Sequence, residues 1–310
     1  MYNDLFSIGP FTVHTYGLMI AIGVLAALTI AERRAPKNGM DQEMVFPLAM
    51  YLVITGIACA KLMFIIQGWK DFIKDPLSML GSGGLVVYGG IIGGILCATV
   101  YCKIKKLNFW DAFDLALPSV AIAQAFGRIG CFFAGCCYGE KTDAWYGIAF
   151  AHSNYAPNHV KLIPTQLISS AGLFVIAGLL FWYAYHAKKT GQIGAAYMVL
   201  YSIGRFCVEF LRGDEVRGRV GSLSTSQFIS IFILATGVAL WILRSKSSKL
   251  RPQATDVRTS VKADADTAPQ EDVEAEAQTA EKATAPETEA NQEALSQMAA
   301  EQKDLTKTEE

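Results

Sequence analysis

Apolar positions in this chain run in long blocks, and the polar and charged positions fall mostly between them. Seven such blocks cover Val13–Ile30, Met44–Ile66, Leu85–Ile104, Phe109–Phe133, Thr165–Tyr185, Ile193–Leu211 and Ser226–Leu243. About 20 mostly apolar residues are enough to cross a bilayer as a helix. A helix satisfies its own backbone groups, which hydrocarbon cannot do. The pattern stops after Leu243. From Ser247 to Glu310 there is no aromatic residue or cysteine and few branched aliphatics. Such a segment buries too little apolar surface to offset its ordering entropy. The expected fold is all-α: a polytopic membrane protein with about seven transmembrane helices in residues 1–246. Residues 247–310 are expected to form a disordered C-terminal tail, with weak helical tendency at Asn291–Gln302.

Composition sharpens the division. The chain is 52% hydrophobic and 18% charged, against about 25% charged in soluble domains. The tail holds 15 Asp and Glu against 7 Lys and Arg; with a net charge of −1 overall and −8 in the tail, the body is +7. Twelve Lys and Arg fall after the first, third, fifth and seventh blocks, among them Arg33, Lys103, Lys188 and Arg244; seven fall in the alternate loops, among them Lys70, Lys141 and Arg217. The spans read as an integral membrane protein of the inner-membrane type, and the bias toward positive cytoplasmic loops places the N-terminus outside, on the periplasmic side, and the tail in the cytoplasm. The first residues lack a basic region and a cleavage site, so no removable signal peptide is expected. Trp110, Asp111 and Asp114 open the fourth block, where an acidic residue favours the helix dipole.

Ionisable residues inside spans are costly and usually face a polar interior. Arg128 lies in the outer part of the fourth block. Tyr201, Arg205 and Glu209 are spaced by four in the sixth and share one helix face, with Arg212 one turn further. Arginines at one depth suit an anionic lipid headgroup, because the guanidinium fork binds phosphate oxygens in pairs and stays charged. An Arg205–Glu209 ion pair with snorkelling arginines explains the same spacing. Glycines crowd the third block and surround Arg128, either for close helix packing or to let a headgroup approach the backbone. Gln166, after Pro164, is either a headgroup donor or a helix-entry residue. Cys131, Cys136 and Cys137 cluster at the outer end of the fourth block. A disulfide there is compatible with an oxidising compartment. The run has no paired CxxC and no local histidine, so spacing alone predicts no metal site. His14, His152, His159 and His186 are dispersed.

Five fragments, in order, carry a family resemblance. YGLMIAIGVLAA, VVYGGIIGGILCA, GRIGCFFAGCCYG, PTQL and YSIGRFCVEFLR together resemble the prolipoprotein diacylglyceryl transferases between about Tyr16 and Leu243. The third is similar to the family signature G-R-x-G-N-F-x-N-x-E-x-x-G. Tyr16, Arg128, Gly139, Gln166, Tyr201, Arg205 and Glu209 match the family pattern. Tyr88 stands where the family usually has histidine, Cys131 and Ala134 where it has asparagines, and Cys136 where it has glutamate. These departures touch proton handling more than phosphate binding.

The resemblance implies transfer of diacylglycerol from phosphatidylglycerol to the lipobox cysteine of prolipoproteins, with glycerol phosphate leaving and no cofactor. The partners implied are phosphatidylglycerol, prolipoprotein signal peptides and membrane lipid, with no nucleic acid. Catalytic roles would fall to Arg128, Arg205 and Tyr88. Substrate binding would fall to Tyr16, Gly89, Gly90, Gly139, Gln166, Tyr201 and Glu209. Two other readings remain open: a membrane thiol–disulfide oxidoreductase using Cys131, Cys136 and Cys137, and a lipid-binding relative without chemistry.

Overall fold

The computed structural model describes residues 4–8, 11–151, 153, 155–213, 218–248 and 250. The expected tail beyond residue 250 lies outside the described residues, as do Arg217 and His152. Among those described, nine α-helices form: α1 (Thr15–Arg34), α2 (Val45–Gln67), α3 (Trp69–Lys74), α4 (Pro76–Gly81), α5 (Val87–Ile104), α6 (Phe109–Ala134), α7 (Thr165–His186), α8 (Gln192–Glu209) and α9 (Thr225–Ser245). Each apolar block coincides with one long helix. The short α3 and α4 fill the connection between the second and third blocks and leave no mark in the apolar pattern.

Six of the described helices are long and apolar enough to cross a membrane: α1, α2 with its preceding turn from Gln42, α5, α6, α7 and α9. The expected sixth block, α8, matches α5 in length but falls outside that set. Gln192, Tyr197, Ser202, Arg205 and Glu209 dilute its apolar character. Helices α6, α7 and α9 all pack against it. Elsewhere the large apolar side chains point outward: Ile54 and Leu62 on α2, Ile91 and Leu96 on α5, and Val175 and Trp182 on α7 are exposed. Such a surface fits lipid rather than water.

Helix α6 is the hub, touching α1, α5, α7 and α8. Its N-terminus is capped by the Asn108 side chain, which accepts from the Trp110 N–H. Close approach relies on missing side chains. A Cβ on Gly23 of α1 would lie 2.8 Å from the Phe126 Cβ on α6. On α5, Gly89 and Gly93 press against Cys59 of α2; a Cβ at Gly89 would lie 2.4 Å from the Cys59 carbonyl oxygen. The strands are short. β1 (Asp4–Ile8) and β2 (Phe11–His14) form an antiparallel hairpin ahead of α1. β3 (Ile148–Ala149) and β4 (Lys161–Leu162) pair within the α6–α7 connection. There Phe132, Phe150, Ala156 and Leu162 make a small core of their own.

One buried carboxylate ties α8 to α6. Asp114, 0% exposed, accepts the backbone N–H of Gly191 at 2.7 Å and of Gly194 at 2.8 Å. The sequence places Asp114 favourably for its own helix dipole; the fold uses it on the N-terminus of α8 instead. That end needs an outside acceptor, since its N-cap is Gly191, with φ 87° and no side chain. Asp114→Ala leaves two buried N–H groups without their acceptor and is expected to cost about 2–4 kcal/mol. Thermal unfolding of the detergent-solubilised chain measures it, and Asp114→Asn, which keeps one acceptor oxygen, is expected to lose less.

Candidate active site

Above the Asp114 anchor, α6 and α8 rise side by side. At 1.5 Å per residue, Arg128 stands about 21 Å above Asp114 along α6, and Arg205 about 17 Å above Gly194 along α8. A long arginine side chain covers the difference. Arg128, Tyr201, Arg205 and Arg212 accordingly line one cavity of about 460 Å³, counting the part open to its surroundings. Its other wall is α7, through Ile168, Ser169, Gly172, Leu173 and Ile176. Ser170, on the neighbouring face of α7, donates to the Ala125 carbonyl at 2.9 Å and binds that wall to α6.

The two arginines are held differently. Arg205 donates to Glu209 at 2.5 Å and to the Ser226 hydroxyl at 2.6 Å. Ser226 lies in the first turn of α9, which a capping box between Ser224 and Gln227 fixes. Tyr201 stacks on Tyr197, ring centroids 5.6 Å apart, and the Tyr197 hydroxyl donates to Gln124 on α6 at 2.7 Å. Arg128 makes no hydrogen bond or ion pair with any described residue. A guanidinium in an apolar, membrane-embedded cavity calls for an anion.

The outer rim is a knot of backbone. The Gly139 N–H donates to the Ile163 carbonyl, Ile163 N–H to Glu140, Glu140 N–H to Leu211 and Gly213 N–H to Tyr138. This joins the ends of α6, α7 and α8. A Cβ at Gly139 would lie 2.6 Å from the Ile163 carbonyl oxygen and 2.7 Å from that of Leu211. Gln166, 1% exposed, donates to the Cys136 carbonyl at 2.7 Å, while the Thr165 hydroxyl donates to the Cys137 carbonyl at 2.8 Å.

Helix α6 ends in a Schellman turn. Gly135, φ 72°, donates to Phe132, and Cys136 donates to the Cys131 carbonyl. Cys137 follows with φ 61°, a conformation that costs a non-glycine residue about 1–3 kcal/mol. The turn folds Cys136 and Cys137 back over Cys131, and the three sulfurs lie within 4.8 Å of one another. All seven cysteines are thiols. Hydrogen bonds from Cys131 and Cys136, with the charge of Arg212 beside it, hold the Cys137 thiol well below its ordinary range; the same sharing pushes Cys136 up.

Of the residues singled out in the sequence, the cavity gathers Arg128, Tyr201 and Arg205, with Glu209 behind Arg205. Tyr16 lies along α6 at Gly130, where a Cβ would sit 3.1 Å from its ring. Tyr88 is 48% exposed on α5 and is not among the lining residues. Gly89 and Gly90, expected beside a headgroup, meet the backbone of α2, so that space is filled by protein. Gly139 and Gln166 hold the rim. Two parts escape the sequence reading. Ser226 supports Arg205 from a different helix. The α7 wall shows only as Ser169, Gly172, Leu173 and Ile176 at helical spacing, a weak signal in a span where such spacing is common.

Comparison with known proteins narrows the chemistry. The sequence profile of the prolipoprotein diacylglyceryl transferase family matches residues 3–243. A phosphatidylglycerol–prolipoprotein diacylglyceryl transferase of Clostridium tetani is 45% identical over 236 residues, covering 76% of this chain and 94% of the relative. A second one from Clostridium perfringens is 44% identical over 232 residues, 74% of this chain and 90% of the relative. One from Halalkalibacterium halodurans is 32% identical over 245 residues, 76% and 84% respectively.

The rim knot is expected to be intolerant of added volume. Gly139→Ala forces apart two carbonyls that bridge three helix ends, a strain of about 1–3 kcal/mol. A lowered unfolding temperature in detergent, with no comparable drop for Gly172→Ala, where a Cβ meets open space, is the expected result.

Proposed function

The chain belongs to the prolipoprotein diacylglyceryl transferase family, and we propose that it moves the diacylglyceryl group of phosphatidylglycerol onto the lipobox cysteine of prolipoproteins, with the lipid phosphate held between Arg128 and Arg205. The reaction is a substitution at a glycerol carbon. The cysteine sulfur forms a C–S bond, the C–O bond to phosphate breaks, and glycerol phosphate leaves with the electron pair. The thiol proton must depart before or during attack.

The single observation that carries this reading is the pairing of two unlike guanidiniums in one cavity. Arg205 is fixed by Glu209 and Ser226 and serves as a rigid donor. Arg128 has no described partner and supplies uncompensated positive charge. A phosphodiester placed between them accepts from both, and the interaction strengthens as the leaving group gains charge. Tyr201, held by Tyr197, orients a lipid oxygen. The apolar α7 wall accommodates the glycerol and the upper acyl carbons. Tyr16 stands beside the cysteine cluster, on the approach of an acceptor peptide. The multi-pass body sits in the inner membrane with the cavity toward the periplasm, where signal peptides present their cysteine; the excess of basic residues in alternate loops supports that orientation.

Arg128→Ala is expected to lower kcat for thioether formation by about 10²–10³-fold, the usual loss for one donor to a developing anion. Labelled phosphatidylglycerol and a lipobox peptide give the readout. Full activity in Arg128→Ala would end the proposal. Tyr88→Phe is expected to be much milder, because Tyr88 is exposed on α5 and does not line the cavity. A dead Tyr88→Phe beside an active Arg128→Ala would reverse the assignment.

A further inference from the structure

The transfer needs a thiolate, and three thiols, Cys131, Cys136 and Cys137, stand together at the outer end of α6. Their sulfurs lie within 4.8 Å of one another, and all three residues are half-buried. Tetrahedral zinc with Zn–S bonds of about 2.3 Å sets its sulfurs roughly 3.8 Å apart. The cluster therefore needs a contraction of about 1 Å at most, within the reach of side-chain rotation.

The backbone around the cluster is already arranged. The Schellman turn at Gly135 brings Cys136 over Cys131, and the left-handed Cys137 turns its own thiol to the same side. The carbonyls of Cys136 and Cys137 are pinned from α7 by Gln166 and Thr165. Gln166 Oε1 is buried and has no hydrogen-bond partner among the described residues, so an acceptor remains beside the pinned loop. Arg212 lines the phosphate cavity and also hydrogen-bonds Cys137. One side chain thus connects cluster and cavity.

We propose that Cys131, Cys136 and Cys137 form a three-thiolate zinc site with one open position, and that this position takes the acceptor cysteine as its thiolate. The proposal rests on the transferase reading and deepens it. Soft thiolates without carboxylate or imidazole select zinc or another thiophilic d¹⁰ cation over magnesium or calcium. Three protein ligands leave the fourth position for water or substrate. A coordinated thiol is deprotonated outright. The acceptor thiol displaces the bound water and releases its proton to solvent. Its sulfur then forms the bond to the glycerol carbon while the C–O bond to phosphate breaks and glycerol phosphate carries off the electron pair. The neutral thioether leaves zinc, and water returns. No electron is gained or lost overall. Arg212, which hydrogen-bonds Cys137, offsets part of the negative charge of the four-thiolate complex.

The test uses the full chain, purified reduced in detergent. Zinc content and competition with a chromogenic chelator are expected to give one zinc per chain. Cys131→Ser, Cys136→Ser and Cys137→Ser are each expected to weaken binding by at least the ~10–100-fold typical of disturbed zinc sites, and Cys207→Ser to leave it unchanged. Should a serine variant fail to fold, cobalt-loaded wild type supplies the second measurement. Sulfur-to-cobalt charge-transfer absorption is expected, and its visible bands should shift when a lipobox peptide is added but not when the peptide cysteine is serine. Zinc binding that ignores all three substitutions, preference for cuprous ion with no zinc bound, or a cluster disulfide in fully active protein would overturn the site. Full thioether formation by zinc-stripped protein would overturn its role and leave the transferase reading intact. Zinc on the three cysteines without any thioether product would instead overturn the transferase reading and leave the site standing.

Discussion

The carboxylate of Asp114 on the first turn of α8 fixes where everything above it falls. Two short hydrogen bonds from Gly191 and Gly194 lock the axial register of α8 against α6. Helices packed only through apolar side chains slide with little resistance in lipid, since the hydrocarbon competes for the same contacts. A buried ion–dipole contact does not slide. From that fixed point the constant helical rise carries Arg128 and Arg205 to nearly one height. The hydrogen bond from Tyr197 to Gln124 ties the two helices a second time between the anchor and the arginines. At the top, the Gly139 knot closes the three helix ends into one piece. Polar contacts at three levels therefore hold the cavity against a background of non-directional packing.

The cavity sets a mobile demand against a satisfied one. Arg205 has its carboxylate and its hydroxyl, so its position is independent of any ligand. Arg128 depends on what enters. In a low-dielectric site a fixed donor acts without reorganising at the moment of reaction, and an uncompensated cation attracts the anion that the reaction produces. In the proposed reaction those two properties reside in different helices, which is why neither helix alone would signal the chemistry.

Much of the fold is legible in the sequence because lipid imposes a coarse rule: long apolar runs become helices. All seven blocks are helices at nearly the expected limits. Helix α8 is legible as a helix but not by apolarity, since the residues that make the site also make it polar. What the sequence hides is direction in space. Asp114 reads as a favourable residue in its own helix, and only the fold shows that it caps another. Gly89 and Gly90 read equally well as headgroup contacts and as packing residues, and in the fold they lie against Cys59 and Gly56 of α2. Arg128, Tyr201 and Arg205 are legible because charge and regular spacing inside an apolar run are rare. Ser226 and the α7 wall are not, because small residues in a span have many uses. The convergence of Cys131, Cys136 and Cys137 depends on left-handed backbone at Gly135 and Cys137, for which their spacing gives no cue.

On the proposed reading, Arg128, without a hydrogen-bond or ion-pair partner among the described residues, also bears on how a catalytic cycle closes. Departure of glycerol phosphate into water would then strip the cation of its counter-charge, and a bare guanidinium in hydrocarbon surroundings is a high-energy state. The cheaper route is replacement, with an incoming phospholipid sliding in from the leaflet as the spent headgroup slides out. Turnover would then follow the anionic-lipid fraction of the surrounding bilayer, and an enzyme stripped of lipid would be least stable at this one position.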